Sequence, residues 1–266
     1  KYNKPDSSKI TFKTLDSDSP VRVRAILAEA KPETTLFVIS SKSGGTIEPR
    51  LALRAVRDAV ADRISEEELV QHLVAITDPG SMLERQAREE GWAAVFSGQP
   101  TVGGRFSALS VFGLLPAALV GIDLEEFMAH AIDAERQCSE DAIDNPAIGL
   151  ASFLYDNYLQ GRNKFTFLTQ KRGRVLGLWI EQLVAESLGK DGQGILPNIE
   201  VDSLLLKKDP GDRSAIVYLT RNDLWDERRN FEMSLSYIDP AIPRANYKID
   251  SVEELAEHFV MWEYAI

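Results

Sequence analysis

The chain has 266 residues, with 30 basic and 41 acidic side chains, which give a net charge of −11 and a pI of about 4.9. This acidic balance disfavours nonspecific binding to nucleic acid and docking on anionic membranes, because both surfaces are negatively charged. We therefore expect neither a nucleic-acid partner nor a membrane partner. Any anionic ligand requires a local binding site.

Cys138 is the single cysteine, so the chain cannot form an internal disulfide, which fits a reducing, cytoplasmic location. No apolar run reaches the roughly eighteen residues that a membrane-spanning helix needs. The chain begins with a polar stretch that lacks an initiator methionine and ends inside an apolar helical pattern. These features predict a piece of a longer protein.

Strand and helix patterns alternate through the first half of the chain. A strand is predicted at 9–15, and further strands at 34–40, 73–77 and 93–97. Helices are predicted at 21–30, 47–62, 82–90 and 106–119. Such alternation predicts an α/β fold in which a parallel sheet is covered on both faces.

A second α/β cycle begins near Asn145. The predicted order is helix 146–161, strand 164–169, helix 174–188, strand 215–220 and helices 229–236 and 251–265. A helix at 124–137 connects the two cycles. The predicted domains are therefore 1–122 and 146–266, joined by the connecting segment 123–145.

The stretch SSKSGGTIEPR, residues 40–50, leads from a buried strand into a helix. In a parallel α/β sheet, ligands bind at the carboxyl ends of strands, and a helix N-terminus favours phosphate. The hydroxyls of Ser41, Ser43 and Thr46, the charge of Lys42 and the adjacent glycines suit an anion that approaches the backbone closely. The sequence predicts a phosphate-binding loop here, and a capped loop with flexible glycines is the alternative.

Two further motifs carry chemically useful side chains. In TVGGRFSALS, residues 101–110, Gly103 and Gly104 predict a turn, Arg105 follows it, and Ser107 is a candidate cap for the next helix. An arginine at a helix entrance can stabilise an anion through its permanently charged fork. Taken alone, this motif slightly favours the alternative of a surface arginine in a turn.

The third motif is GLWIEQLVAESLGK, residues 177–190, in which Gln182 and Glu186 share one helix face because they are four residues apart. Glu186 falls in the last turn, and Gly189 is a candidate C-cap. A carboxylate here could act as a general base. On spacing alone, a solvent-exposed glutamate is the simpler interpretation.

Together, SKSGGTIE, GGRFSALSVFGLLPAAL and WIEQLVAESLGKDGQGILP, in that order, resemble the phosphoglucose isomerase family. The resemblance is closest to the isomerase part of the bacterial form fused to a transaldolase, and it runs from about Asp16 to the end. It implies two sugar-isomerase (SIS) domains, each a flavodoxin-like three-layer α/β/α sandwich. The first domain is expected to be truncated at its N-terminus and the second at its C-terminus.

The resemblance also implies roles for individual residues. Ser41, Lys42, Ser43 and Thr46 match the phosphate loop, Glu48 matches a further acidic position of that motif, and Gly104 lies in the substrate-binding turn. Arg105 matches the arginine that stabilises the enediolate, Gln182 lines the site, and Glu186 matches the base that moves a proton between C2 and C1. The implied activity is aldose–ketose isomerisation of glucose 6-phosphate and fructose 6-phosphate, with no cofactor and no metal.

Some elements of the family pattern lie outside this chain: a glycine–serine–serine loop before the first strand and a lysine-bearing helix after Ile266. We therefore expect the chain to be inactive alone, and an open sheet edge predicts self-association into a homo-oligomer. In the family, a histidine from a neighbouring subunit helps to open the sugar ring. His258 is a candidate for that role, and an exposed helix position is the alternative. His72 and His130 are expected on helix surfaces.

Two other functions remain open at this point. A different SIS-domain sugar-phosphate isomerase would share the serine-rich loop but not GGRFS followed by EQLVAES at this spacing. A non-catalytic sugar-phosphate-sensing SIS module would be expected to sit beside a basic DNA-binding helical domain, and the sequence contains no such motif. The expected ligand in each case is a small sugar phosphate.

Overall fold

The computed structural model describes residues 10–199, 212–221 and 225–266. The chain forms two compact units, the first ending at Gly121 and the second running from Ile122 to Ile266. Each unit contains helices and one parallel β-sheet, so the predicted α/β class with parallel sheets is confirmed.

The described part of the first unit, residues 10–121, alternates helices with three short strands. In chain order its elements are α1 (Pro20–Ala28), β1 (Phe37–Ser40), α2 (Ile47–Val60), α3 (Glu66–Leu69), β2 (Leu73–Thr77), α4 (Met82–Glu89), β3 (Ala94–Ser97) and α5 (Val111–Leu119). The strands pair in the order β1-β2-β3, and both pairs are parallel. Their carboxyl ends therefore lie along one edge of the sheet.

The central strand β2 explains why this sheet forms. All five of its residues are buried, as expected for an uninterrupted apolar run in the middle of a parallel sheet. Helix α4 beside it begins at a defined cap. The Ser81 hydroxyl accepts a hydrogen bond from the backbone N–H of Glu84 at 2.9 Å, which starts α4 directly after the β2 loop.

The second unit begins with two helices and then builds a four-stranded sheet. Its described elements are α6 (Leu124–Ser139), α7 (Pro146–Leu159), β4 (Lys164–Thr169), α8 (Arg174–Leu188), β5 (Leu196–Asn198), β6 (Arg213–Thr220), α9 (Trp225–Leu235), β7 (Arg244–Ile249) and α10 (Leu255–Ala265). The strand order is β5-β4-β6-β7, and all three pairs are parallel.

The core of the second unit is rich in aromatic side chains. Phe165, Phe167, Tyr218 and Trp262 are fully buried, and Phe167 and Tyr218 lie with ring centroids 5.1 Å apart. α6 packs against α10 and α7 within this unit. The segment predicted as the connecting helix therefore forms part of the second unit's helical layer. Asn145 caps α7 by accepting hydrogen bonds from two backbone N–H groups.

The predicted strand at 9–15 is wrong over its described residues, because 10–15 adopt no regular structure. Ile10 and Phe12 supply the alternating pattern but are 47% and 45% exposed. Lys9 lies outside the described residues. The structure adds two strands that the sequence analysis left unassigned, β5 and β7. None of the described helices is long and apolar enough to cross a lipid bilayer.

Candidate functional site

The predicted phosphate loop, residues 41–46, lies at the carboxyl end of β1 and leads directly into α2. Gly44 adopts a φ of +66°, and a β carbon there would lie 2.7 Å from the backbone nitrogen of Leu83 at the start of α4. A side chain at this position would therefore clash with backbone. Gly44 lets the loop turn closely over α4.

Three hydroxyls of the loop converge on one another. The Ser41 and Thr46 oxygens are 3.2 Å apart, and the Ser43 and Thr46 oxygens are 3.4 Å apart. Ser41 is buried, whereas Ser43 and Thr46 are exposed. The backbone N–H of Gly45 also donates to the Ser43 hydroxyl at 3.2 Å. The loop thus presents a compact cluster of hydroxyl groups.

Thr46 occupies the N-cap position of α2, but its hydroxyl faces the other loop hydroxyls and caps none of the helix N–H groups. An N-terminus without a side-chain cap offers N–H donors and the positive end of the helix dipole to an anion. Glu48 lies in the first turn and is exposed. Its carboxylate is favourable for the helix dipole but repels a neighbouring anion.

A cleft of about 260 Å³ borders the loop. Ser41 and Gly44 line it from the loop, Arg50 from α2 and Arg85 from α4. The Arg85 guanidinium donates to the Gly80 carbonyl at 2.7 Å. Glu89 and several apolar side chains also line the cleft, so its two cationic side chains are partly offset by one carboxylate.

The ammonium group of Lys42 does not contact the loop hydroxyls. It donates to the Asp78 carboxylate at 2.5 Å and to the Gln99 carbonyl at 2.8 Å. It also lies 5.9 Å from the centre of the Phe112 ring. The predicted phosphate-binding lysine therefore forms an ion pair with the loop after β2 and a hydrogen bond with the loop after β3. These two contacts join both loops to the loop after β1.

Arg105 lies in a short 3-10 turn, Gly104–Phe106, between β3 and α5. Its guanidinium stands 5.2 Å from the centre of the Phe106 ring, and the side chain is half-buried. Gly104 is exposed, and the space around it would accept a β carbon.

The Ser107 cap prediction is wrong, because the Ser107 hydroxyl donates to the Gly104 carbonyl at 2.6 Å and thereby tightens the turn. Ser110 caps α5 instead, by accepting from the backbone N–H of Phe112 at 3.3 Å.

In the second unit, Gln182 and Glu186 lie on one exposed face of α8. The Gln182 amide donates to the Glu186 carboxylate at 3.1 Å, which holds the two side chains together. Glu186 lies in the last turn of the helix. Gly189 ends the helix, and its N–H donates to the Ala185 carbonyl at 3.0 Å. The carboxylate is thus both accessible and oriented by its neighbour.

His258 is buried inside the second unit and does not occupy an exposed helix position. Its Nδ1 lies 3.1 Å from the Tyr218 hydroxyl, and its Nε2 lies 3.1 Å from the Lys248 carbonyl. Because a carbonyl can only accept, Nε2 carries the proton and donates it, and Nδ1 accepts from Tyr218 in the neutral ring. Burial lowers the pKa of His258, which favours this neutral form.

The other two histidines are also engaged by neighbouring groups. His72 Nδ1 lies 3.2 Å from the Thr35 carbonyl, and His130 contacts the Glu257 carboxylate. Both lie on helices as expected, His72 in a short 3-10 helix and His130 on α6, and both are half-buried. Across the described ranges, no group of three or more His, Cys, Asp or Glu side chains could hold a metal ion.

The sequence analysis missed Asp78 and Gln99, which hold Lys42. A signal for Asp78 was present, because DPGS follows the buried strand 73–77 as SKSGGT follows 34–40. Parallel strands place their carboxyl ends on the same edge, so Asp78 could have been expected beside Lys42. Gln99 contributes only its backbone carbonyl, for which no sequence pattern exists.

The structure therefore defines a two-unit parallel α/β protein, with candidate ligand-binding groups after the strands of its first unit and on helix α8 of its second. The family model of phosphoglucose isomerase matches residues 3–202. This match spans the predicted phosphate loop, Arg105 and the Gln182–Glu186 pair. The chain belongs to the phosphoglucose isomerase family.

Curated relatives agree with this assignment. A glucose-6-phosphate isomerase from Synechococcus sp. (strain JA-3-3Ab) is 40% identical over 235 residues, which cover 86% of this chain and 43% of the relative. One from Desulfitobacterium hafniense (strain Y51) is 39% identical over 179 residues, covering 66% of this chain and 33% of the relative. The chain thus spans less than half the length of these relatives.

Solved structures share the fold at lower identity. A hypothetical protein from Thermus thermophilus superposes with a TM-score of 0.80 at 24% identity, covering 94% of this chain and 70% of that one. A glucose-6-phosphate isomerase from Chlamydia trachomatis gives a TM-score of 0.73 at 20% identity, covering 92% of this chain and 56% of that one. Both comparisons support the fold alone.

Proposed function

We propose that this chain supplies the phosphate-binding loop and the general base of a glucose-6-phosphate isomerase, which interconverts glucose 6-phosphate and fructose 6-phosphate. The observation that carries the proposal is the extent of the family match, since residues 3–202 include Ser41–Thr46, Arg105 and Glu186. The curated relatives carry that activity in their names, and the chain covers less than half of their length.

The loop after β1 binds the phosphate group in this proposal. It offers the hydroxyls of Ser41, Ser43 and Thr46 together with the first N–H groups of α2, which lack a side-chain cap. Binding energy gained at the phosphate, remote from the reacting carbons, helps to hold the open-chain sugar in register. The phosphate contacts persist through the reaction, so they contribute mainly to substrate binding.

Glu186 is the general base of the proposed reaction. Its carboxylate takes the proton from C2 of the open-chain aldose, and the C–H electrons form a C1=C2 double bond while O1 gains negative charge. Protonation at O1 gives the cis-enediol. Return of the proton from Glu186 to C1, with loss of the O2 proton, gives the ketose. The hydrogen bond from Gln182 orients the carboxylate for both transfers.

Arg105 stabilises the charge that develops on the enediolate oxygen. A guanidinium remains protonated at any working pH, so it supplies fixed positive charge without taking the transferred proton. Its stacking on the Phe106 ring at 5.2 Å limits the orientations that the side chain can adopt. Such preorganised charge lowers the barrier because it needs no rearrangement during the reaction.

The test compares Glu186→Gln with Glu181→Gln, which makes the same change of charge at an exposed position of the same helix. Conversion of fructose 6-phosphate to glucose 6-phosphate is measured on this chain and, in parallel, on any longer form of the polypeptide. Incorporation of solvent deuterium at C2 of glucose 6-phosphate is followed by NMR. In the form of the polypeptide that turns over the substrate, we expect Glu186→Gln to lower both rates by about 10²–10⁴-fold and Glu181→Gln to leave them within about two-fold.

Comparable rates in Glu186→Gln and the wild type would remove Glu186 from the mechanism. Tight binding of fructose 6-phosphate without turnover, in every form of the polypeptide, would favour a sugar-phosphate-sensing module instead of an enzyme.

A further inference from the structure

The loops that follow all three strands of the first unit meet at one side chain, Lys42. Its ammonium donates to the Asp78 carboxylate after β2 and to the Gln99 carbonyl after β3. The side chains of Lys42 and Asp78 are only 22% and 18% exposed. An ion pair that is this well shielded is more persistent than one on an open surface.

The backbone of Lys42 is held by the same segment. Its carbonyl accepts from the N–H of Asp78 at 3.0 Å and from the hydroxyl of Thr77 at 3.3 Å. One residue before it, the N–H of Ser41 donates to the Ile76 carbonyl at 3.0 Å. The first residues of the anion loop are therefore fixed to the end of β2 by main-chain and side-chain contacts together.

The Asp78 carboxylate forms its ion pair with Lys42. Its Oδ2 atom accepts the hydrogen bond from the Lys42 ammonium. Its Oδ1 atom is buried and has no hydrogen-bond partner among the described residues. The space for this arrangement depends on Gly98. A β carbon there would lie 2.5 Å from Asp78 Oδ1 and 2.5 Å from the Phe112 ring.

We propose that Asp78 is a positioning residue that acts through Lys42 to hold the loop Ser41–Thr46 in its anion-binding geometry. The inference rests on the proposed phosphate-binding role of that loop. The carboxylate carries no ligand contact of its own. It anchors Lys42, and the anchored Lys42 keeps the loop hydroxyls and the N-terminus of α2 ready for the phosphate, so that less ordering is needed on binding.

The test measures the affinity of this chain for inorganic phosphate by NMR titration of its backbone amides, with Asp78→Asn, Asp78→Ala and Asp212→Asn. Asp212 is the matched control, because it pairs with Lys164 at 2.6 Å in the second unit. We expect Asp78→Ala to raise the Kd about ten-fold, Asp78→Asn to raise it less because an acceptor oxygen remains, and Asp212→Asn to leave it unchanged.

A second arm repeats Asp78→Ala in a Lys42→Met background. Since Asp78 acts through Lys42, the added change in Kd should fall below about two-fold there. An undiminished effect would overturn the inference, because a general loss of structure does not depend on Lys42.

Two results for the single variants and one for the wild type separate this inference from the proposed function. An unchanged Kd in Asp78→Ala, with phosphate binding intact in the wild type, overturns the inference alone. A lower Kd in Asp78→Asn also overturns it, because the carboxylate then acts by repelling the anion. A wild-type chain that binds no phosphate overturns both proposals.

Discussion

Gly44 and Gly45 are neighbours in the loop Ser41–Thr46, but their backbones differ. Gly44 has a φ of +66° and faces the backbone nitrogen of Leu83, whereas a β carbon on Gly45 would meet only the Ser43 hydroxyl oxygen at 3.8 Å. We expect Gly44→Ala to destabilise the chain by about 2 kcal/mol, through left-handed strain and the backbone clash. The check is the free energy of unfolding in urea.

Gly45→Ala is the matched control, since it adds the same methyl group one residue later without a positive φ or a close contact. Its unfolding free energy should stay within about 0.5 kcal/mol of the wild type. Equal losses in both variants would show that the loop responds to any added methyl group and not to the Gly44 backbone.

At the scale of residues, the sequence predicts which side chains follow a strand better than it predicts what they contact. The hydroxyls of Ser41, Ser43 and Thr46 do converge, because a tight loop of six residues keeps short side chains close to one another. Lys42 has a long side chain, and its position depends on Asp78, which lies 36 residues away. No local pattern determines that pairing.

At the scale of helices and strands, α10 contains the carboxyl group of Glu263, whose burial disfavours the charged form. Burial raises the pKa of Glu263 from 4.5 to about 7, and its Oε1 is buried without a hydrogen-bond partner among the described residues. The folded chain therefore holds the proton more tightly than the unfolded chain. The unfolded chain releases that proton first as the pH rises from 4.5 to about 7, so stability falls over this range.

Glu263→Gln replaces this carboxyl group with a neutral amide of the same shape. We expect it to raise the melting temperature by about 2–4 °C near pH 8, which corresponds to about 1 kcal/mol, and to change it little near pH 4.5. Thermal melts at both pH values test this. Glu181→Gln, at an exposed position of α8, should show no such difference. A gain of equal size at both pH values would mean that ionisation of Glu263 is not the cause.

Elements with a strong internal pattern were predicted well, and elements that depend on a neighbour were not. Strands β2 and β4 and helix α8 have the predicted bounds, because each combines a continuous apolar run or stripe with clear ends. Strand β7 reads RANYKI and lies at the edge of its sheet, where charged side chains replace apolar ones. Strand β5 has three residues, including a proline, and exists only through its pairing with β4.

The incorrectly predicted strand at 9–15 shows that a suitable sequence pattern alone does not produce a strand. An alternating pattern such as that of Ile10 and Phe12 is compatible with a strand, but a strand forms only where a partner supplies the hydrogen bonds. Residues 10–15 are instead irregular, and these two side chains are about half exposed.

For the molecule as a whole, the net charge of −11 produces an electrostatic repulsion that opposes association of two copies. Near neutral pH this charge keeps copies apart, and near the pI of about 4.9 the repulsion disappears. The surface of the second unit then offers apolar side chains for contact; the most exposed of those described are Ile143, Val175, Ile132 and Leu159. We expect association of the chain to increase steeply as the pH approaches 5, and light scattering measures it.

The same experiment distinguishes this charge-controlled association from the homo-oligomer that the sequence predicts. A specific oligomer keeps its mass from about pH 8 down to pH 6 and at any protein concentration above its dissociation constant. Association controlled by net charge is instead negligible near pH 8 and rises when salt screens the remaining repulsion. Near-UV circular dichroism on the same samples separates either case from acid unfolding. A constant mass through pH 5 would contradict the charge argument, since the repulsion would then not be what keeps the copies apart.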